Sequence, residues 1–308
     1  MSRTVFIVGA AGTTGLDIAD RLAGRSEFTL LTLEGDARKD DAARREALNA
    51  ADFVILCLPD DAAIAAVAMI ENPATRVIDA SSAHRVAPGW TYGFPEVIGR
   101  DVVAAAARVS NPGCYPTGFI ALLAPLIRAR LLPTAWPYNC NAVSGFSGGG
   151  KAMIQRFEED GDIAYRAYGL GLNHKHVPEM QAYASLAIAP VFAPAVVPGH
   201  RGMIVEVPLP LAIIPGAPGP VLLRECLAAF YAGSPLITVH TDQPDELLLR
   251  RTQKPSDRLE LYVFASPDGS QARLVAVLDN LGKGASGAAV QSLNLMTGLP
   301  ETAGLAVQ

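Results

Sequence analysis

The sequence predicts an α/β protein in two parts: a Rossmann-type doubly wound parallel sheet, then an α+β catalytic domain with a mixed or antiparallel sheet. Three observations carry this. Over roughly the first 110 residues, strands apolar on both faces alternate with helical segments, as in a parallel sheet covered on both sides. A glycine-rich turn follows the first of these strands. Beyond residue 115 or so the strands alternate apolar and polar residues, which suits a sheet with one exposed or subunit-covered face.

Residues 4–8 form the first strand, and a helix over 14–22 follows the glycine turn. Residues 28–33 supply the second strand, and a charged, Ala-rich helix over 40–50 leads to a third strand at 52–58. A helix at 62–70 and a strand at 76–80 complete the alternation, which is the doubly wound pattern. A long apolar helix is expected over 118–132, with alternating strands at 203–209, 259–264 and 273–278. The proline-rich stretch 190–220 suits loops around edge strands. Residues 283–297, rich in small side chains, form the last helix. The expected domains are 1–113 for dinucleotide binding, 114–282 for catalysis and subunit contact, and 283–308 for a C-terminal helix returning to the first.

Composition narrows the class. The chain has 308 residues, 50% hydrophobic and 18% charged, enough to bury sizeable cores and too apolar for disorder. Twenty-five Lys and Arg against 30 Asp and Glu give a formal charge of −5 without a basic block, which argues against a nucleic-acid surface. No apolar run approaches the roughly 18–20 residues of a membrane span, and the amino terminus lacks a signal-peptide core. Four cysteines without a CxxC pair suit free thiols in a reducing compartment. The expectation is a soluble cytoplasmic protein that binds neither nucleic acid nor membrane.

Gly9-Ala10-Ala11-Gly12-Thr13-Thr14-Gly15 lies between the first strand and the first helix. Glycines there let the backbone approach a pyrophosphate, and the helix N-terminus offers it free N–H groups. A tight-packing turn is the alternative; the strand–turn–helix setting favours the nucleotide. Glu34 ends the second strand, where an acid suits a ribose 2′-hydroxyl and hence NAD. Arg38 and Lys39 follow closely and suit a 2′-phosphate, so the local sequence leaves NAD and NADP open.

Ser110-Asn111-Pro112-Gly113-Cys114-Tyr115-Pro116-Thr117 places Cys114 just ahead of the long helix. The positive end of that helix lowers a thiol pKa. The dipole is worth about 0.3–1 kcal/mol, less than one unit at about 1.36 kcal/mol per unit. From about 8.5 the thiol stays mostly protonated at neutral pH, so a base or cation must help. Cys57 in a strand, Cys226 in an apolar helix and Cys140 suit buried structural thiols instead. Help for Cys114 is at hand in Asn173-His174-Lys175-His176-Val177-Pro178-Glu179, where two of five histidines sit two residues apart. Metal ligation lacks further ligands, whereas acid/base work fits, with His174 first choice, His176 second and Glu179 orienting a ring. On an extended backbone the two rings would point to opposite sides.

Ser144-Gly145-Phe146-Ser147-Gly148-Gly149-Gly150-Lys151 precedes another helix, and its amides, hydroxyls and lysine suit an anion cradle, or a flexible glycine loop. Asp79-Ala80-Ser81-Ser82-Ala83-His84-Arg85 leaves the fourth strand at its carboxyl end, where open α/β sheets bind ligands and Arg85 suits a carboxylate or phosphate.

Taken in order, these segments resemble the N-acetyl-gamma-glutamyl-phosphate reductases of arginine biosynthesis, in their shorter type. The matching motifs are 9–15, 79–85, Tyr92-Gly93-Phe94-Pro95-Glu96, 111–117, 143–151, Ala167-Tyr168-Gly169-Leu170-Gly171 with 174–179, and 279–294. They span nearly the whole chain. The family resembles aspartate-semialdehyde dehydrogenase in fold and shares its Asn-Pro-Gly-Cys element, followed here by Tyr115-Pro116-Thr117. One departure is Ser82-Ala83-His84-Arg85 where longer members have Ala-Asp-Phe-Arg, which leaves the role of His84 open.

The resemblance implies NADPH-dependent reduction of N-acetyl-glutamyl 5-phosphate to the 5-semialdehyde plus phosphate, through a thioester on Cys114. It implies a homodimer or homotetramer, no metal, and an acyl phosphate as the small-molecule partner. NADP contacts would come from Gly9, Ala11, Gly12, Thr13, Thr14 and Gly15, from Arg38 and Ser81, and from a late segment with Asn280, Lys283 and Gly284. Arg85, Asn111, Ser144, Ser147 and Lys151 would hold substrate. Three rivals stand beside this reading. Aspartate-semialdehyde dehydrogenase, or another acyl-phosphate or acyl-CoA reductase, differs in substrate. A nonenzymatic NADP-sensing regulator needs no poised thiol, and a cysteine acyltransferase or hydrolase needs no glycine turn.

Overall fold

Neighbouring residues of β1 (Arg3–Val8) face opposite ways. Val5 and Ile7 enter one core with Ile18, Leu22, Ile55 and Val109, while Phe6 and Val8 enter another with Leu48, Val54, Leu56 and Ala66. A strand buried on both faces belongs inside a covered parallel sheet. The observed order is β2 (Phe28–Leu31), β1, β3 (Phe53–Leu56), β4 (Arg76–Asp79), β6 (Arg108–Ser110), β5 (Thr91–Tyr92), and every pairing is parallel. Helix α1 (Thr13–Leu22) covers the first face; α2 (Asp41–Ala50) and α3 (Asp60–Ala68) cover the second. A short α4 (Pro95–Ile98) runs into α5 (Arg100–Ala105), which joins the first face with the helix Gly287–Thr297. Strand order reverses at β1, which opens a crevice at the carboxyl ends of the strands.

The computed structural model describes residues 2–33, 35–38 and 40–307. It forms two units, Met1–Pro112 with Ala285–Leu305, and Gly113–Gly284 with Ala306–Gln308.

The second unit holds a mixed seven-stranded sheet. Its order is β11 (Ile237–Val239), β12 (Leu259–Ala265), β13 (Ala272–Leu278), β10 (Met203–Leu209), β7 (Asn139–Gly145), β9 (Val191–Val197), β8 (Arg166–Ala167). The β7–β9 and β11–β12 pairs are parallel and the others antiparallel. Every second residue of β10 is buried, the mark of one covered face. Cover comes from α6 (Cys114–Arg128) and α9 (Pro220–Phe230), with α8 (Val177–Tyr183) packed on α6, while α7 (Gly150–Glu159) follows β7. A Cβ on Gly118 would stand 2.8 Å from Val205, so α6 lies directly on β10.

Pro125 inside α6 has no N–H for the Ala121 carbonyl. The Tyr231 hydroxyl donates to that carbonyl at 2.9 Å instead.

Three sequence expectations are corrected. The long helix starts at Cys114 and ends at Arg128, not 118–132; Pro116 fits its first turn, where N–H groups lack helical partners. The stretch 190–220 contains β9 and β10, and β10 is interior rather than an edge. Pro208 is tolerated because the pairing of β10 with β7 ends at Glu206, so beyond it β10 has a neighbour on one side alone. The last helix begins with a π-turn over Gly282–Ser286 before Gly287–Thr297.

Candidate active site

In the first unit the three glycines do different work. Gly9 has φ +84°, and a Cβ there would stand 2.3 Å from the Cys57 carbonyl oxygen. At Gly15 a Cβ would stand 2.5 Å from the Gly9 oxygen. At Gly12 it would meet nothing nearer than 3.4 Å. Two glycines are thus required by packing, and Gly12 leaves an open approach. Gly12 is the N-cap of α1, no side chain caps that end, and Thr13 and Thr14 open the helix, so its amides suit a pyrophosphate. A cleft of about 560 Å³ runs past Gly9, Ala10 and Ala11 between Leu33, Leu58 and Ala62, with Arg44 on its wall. The cradle fits a dinucleotide. Arg44 is not among the residues expected from sequence; its sole local signal is a cation on the helix after the second strand. Glu34, Lys39 and the side chain of Arg38 lie outside the described residues.

At the end of β4 the wholly buried Asp79 accepts the Ser81 N–H at 2.9 Å and hydroxyl at 2.7 Å. It also pairs with His84 Nδ1 at 2.6 Å, and the His84 ring stacks on Trp90 with centroids 4.1 Å apart. Arg85 is buried and donates to the Asn111 carbonyl at 3.1 Å and the Ala80 carbonyl at 3.4 Å. Asn111 donates its N–H to the Asp79 carbonyl at 2.7 Å and its amide to the Ala285 carbonyl at 2.9 Å. These bonds make Ser81, His84, Arg85 and Asn111 parts of one braced turn.

In the second unit Cys114 is the first residue of α6, half-buried, with Gly113 as N-cap. Glu179, 1% exposed, accepts the Gly113 N–H at 3.1 Å and so fixes the turn that presents the thiol. A Cβ on Gly284 would stand 2.8 Å from the Cys114 Cβ, so the backbone itself packs against the cysteine. His174 and His176 lie in a turn, closed by Val177 N–H to the His174 carbonyl at 3.0 Å, not on an extended strand. Their rings meet at 4.6 Å, which corrects the expectation that they diverge. The His176 N–H donates to His174 Nδ1 at 3.2 Å, which places the proton of a neutral His174 on Nε2.

Tyr115 and Tyr168, absent from the predicted site, complete this cluster. Tyr168 lies edge-on to His174 at 5.6 Å and Tyr115 is 5.9 Å from His176. Burial holds the Tyr168 phenol up at about 12, with the Cys114 sulfur acting in the same direction and the Tyr115 hydroxyl and Arg166 opposing. Burial raises Tyr115 as well, again with contributions from Tyr168 and Cys114. Both phenols therefore stay protonated beside the thiol. Tyr168 lies in the Ala167–Gly171 motif and Tyr115 follows the cysteine; their pairing is a tertiary contact with no local signature.

The loop after β7 differs from the expected anion cradle. The N–H groups of Gly145, Phe146 and Ser147 donate to the carbonyls of Gly202, Gly199 and His200 at 2.8–3.2 Å, so these amides are spent within the protein. Ser144 donates to the Gly145 carbonyl at 3.1 Å, and Ser147 accepts from Asn280 Nδ2 at 2.9 Å. The Asn280 oxygen takes the Gly202 N–H at 2.9 Å. Lys151 is exposed in the first turn of α7, and Lys283 is buried. A groove of about 590 Å³ on this sheet, by Asn141, Arg201, Glu206 and Arg251, is lined also by Gly199 and Gly202 but by none of the predicted site residues.

Burial pushes the Cys57 thiol up to about 12, with Asp79 adding to the effect. Cys140 and Cys226 are also raised by burial. None of the three is poised as a nucleophile.

Comparison with known proteins gives concordant results. Residues 4–106 match the semialdehyde dehydrogenase NAD binding domain, and residues 114–280 the semialdehyde dehydrogenase dimerisation domain. The chain is 50% identical over 302 residues to N-acetyl-gamma-glutamyl-phosphate reductase 2 of Pseudomonas putida, covering 96% of each. It is 44% identical over 317 residues to N-acetyl-gamma-glutamyl-phosphate reductase of Trichormus variabilis, covering 98% of each. Among solved structures, aspartate semialdehyde dehydrogenase II of Vibrio cholerae, complexed with ASA, superposes with a TM-score of 0.70 at 18% identity, over 96% of this chain and 98% of that one. At that identity the likeness is one of fold.

Proposed function

The chain belongs to the N-acetyl-gamma-glutamyl-phosphate reductases of the semialdehyde dehydrogenase family, enzymes of arginine biosynthesis, and from that premise we propose how its residues work. The observation that carries the reading is the Cys114 cluster: a half-buried thiol opening α6, its turn held by Glu179, with the Tyr115 and Tyr168 phenols beside it and the His174 and His176 rings packed on those phenols. The helix end favours the thiolate. That thiolate attacks the acyl carbon of N-acetyl-glutamyl 5-phosphate; the carbon–oxygen bond to phosphate breaks, and inorganic phosphate leaves with the electron pair. NADPH, when bound at the glycine turn of the first unit, supplies the hydride that reduces the thioester. The acyl oxygen then gains full negative charge. His174, through its Nε2–H, donates to that oxygen, and the protonated Tyr168 is a second donor. Collapse of the hemithioacetal breaks the carbon–sulfur bond, releases the semialdehyde and returns the Cys114 thiolate.

His176 turns and orients His174 through its N–H. The family resemblance, rather than the internally bonded Ser144 and Ser147 hydroxyls, assigns Ser144, Ser147 and Lys151 to substrate, and Ser81, Arg85 and Asn111 hold the ligand end of the first unit's sheet. Because residues 114–280 match a dimerisation domain, a homo-oligomer is the working form, as a homodimer or homotetramer.

The test is phosphate-dependent reduction of NADP, offered N-acetylglutamate semialdehyde and, separately, aspartate semialdehyde. Turnover of the acetylated aldehyde alone, abolished in Cys114→Ser, is the expected outcome. Turnover of aspartate semialdehyde, or activity that survives in Cys114→Ser, would overturn the proposal.

A further inference from the structure

We propose that Arg44 reads the 2′-phosphate of the dinucleotide and sets this chain's preference between the two nicotinamide cofactors, an inference that rests on the dinucleotide reading of the first unit. The cleft beside the glycine turn is walled by Gly9, Ala10, Ala11, Leu33, Leu58 and Ala62, and Arg44 is the one ionisable side chain among its described lining residues. It stands at the start of α2, behind the N-cap Asp40, whose carboxylate accepts the Ala43 N–H. Arg44 therefore lines the cleft from the first turn of α2.

The Arg44 guanidinium pairs with Asp41 at 3.2 Å, and the Asp41 side chain is 77% exposed. Such an exposed pair is weakly held. A phosphate monoester, with about −1.5 to −2 charges and three acceptor oxygens, would compete with it on better terms, because a guanidinium takes two phosphate oxygens at once. Apolar walls strengthen that attraction relative to water. A dinucleotide with a bare 2′-hydroxyl offers Arg44 no charge to meet. The residue's effect should therefore fall on the ratio of the two cofactors rather than on binding as a whole.

The experiment is calorimetric titration of the full-length protein with 2′,5′-ADP and with 5′-ADP, for wild type, Arg44→Ala, Arg44→Lys and Arg38→Ala, with thermal unfolding as the check on folding. Wild type should prefer 2′,5′-ADP. Arg44→Ala should lose about ten- to a hundredfold in 2′,5′-ADP affinity, while 5′-ADP changes by about twofold or less. Arg44→Lys, which keeps the charge but not the fork, should fall between. Four results would overturn the proposal: an unchanged preference in Arg44→Ala, an equal loss for both ligands, a loss confined to Arg38→Ala, or a wild type without preference. The last would also remove the NADP reading, and failure of wild type to bind 5′-ADP would remove the dinucleotide reading itself.

Discussion

At Gly113 the backbone N–H is donated to Glu179, a carboxylate with 1% of its surface exposed. The bond fixes the peptide immediately before the nucleophile. Glu179→Ala would leave that buried N–H without its charged acceptor, at a cost of about 1.5–3 kcal/mol in stability. Glu179→Gln keeps an acceptor oxygen and should recover most of the loss. Denaturant unfolding checks the energies, and the rate of Cys114 alkylation checks the positioning: both variants should slow it, the alanine more. An unchanged alkylation rate would make Glu179 a packing residue only. Sequence alone marked Cys114 and the histidines, because Cys and His are scarce and sit beside turn-forming neighbours, and Glu179, because it follows the histidines closely. Which groups they meet was not legible there. The glutamate was expected on a ring and is seen on Gly113; the histidines were expected to diverge and are seen in contact.

The glycine turn separates packing from binding within one element. Gly9→Ala meets the Cys57 carbonyl and a positive φ, so it should destabilise the protein by about 1–3 kcal/mol. Gly15→Ala meets the Gly9 carbonyl and should do likewise. Gly12→Ala has room for its methyl group; its stability should stay within about 0.5 kcal/mol of wild type, while dinucleotide affinity falls. Urea unfolding beside nucleotide titration distinguishes these outcomes, and a strongly destabilised Gly12→Ala would contradict the assignment. Elements with a clean period were legible in the sequence: β1 from its continuous apolar run and β10 from its strict alternation. The start of α6 was not, because Pro112 and Gly113 read as a turn and the apolar run that marks the helix begins at Gly118. The proline in the helix's first turn costs no hydrogen bond, so the helix begins earlier than the punctuation suggests.

Across the molecule, burial raises several thiols and phenols together. Cys57 and Tyr168 are held up at about 12, and Cys140 and Tyr138 are raised further. Unfolded, such groups ionise from about 8.5 for thiols and about 10 for phenols. Above those values the unfolded chain binds fewer protons than the folded one, so stability falls as pH rises. The contribution is fully present below about pH 8.5 and is lost progressively toward about pH 12. Urea midpoints measured from pH 8 to 11, on the order of one point per half unit, should decline steadily. Cys57→Ala should flatten the slope; a flat wild-type curve would contradict the burial argument. No helix among the described residues is long and apolar enough to cross a membrane, as the absence of long apolar runs led one to expect.

What the sequence by itself determined is the pair of architectures and the identity of the chemical groups. Periodicity, glycine placement and the scarcity of Cys and His are local properties, written where they act. Only the tertiary structure decided how those groups are occupied. The amides of residues 145–147 are spent on carbonyls of residues 199–202, Tyr168 comes to lie beside His174, and Arg44 lines the cleft. The first and last of those contacts join segments far apart in the chain, and the Tyr168–His174 contact is made across the turn between them. Their geometry is set by strand register and by the turn each loop adopts, and no local pattern encodes that pairing.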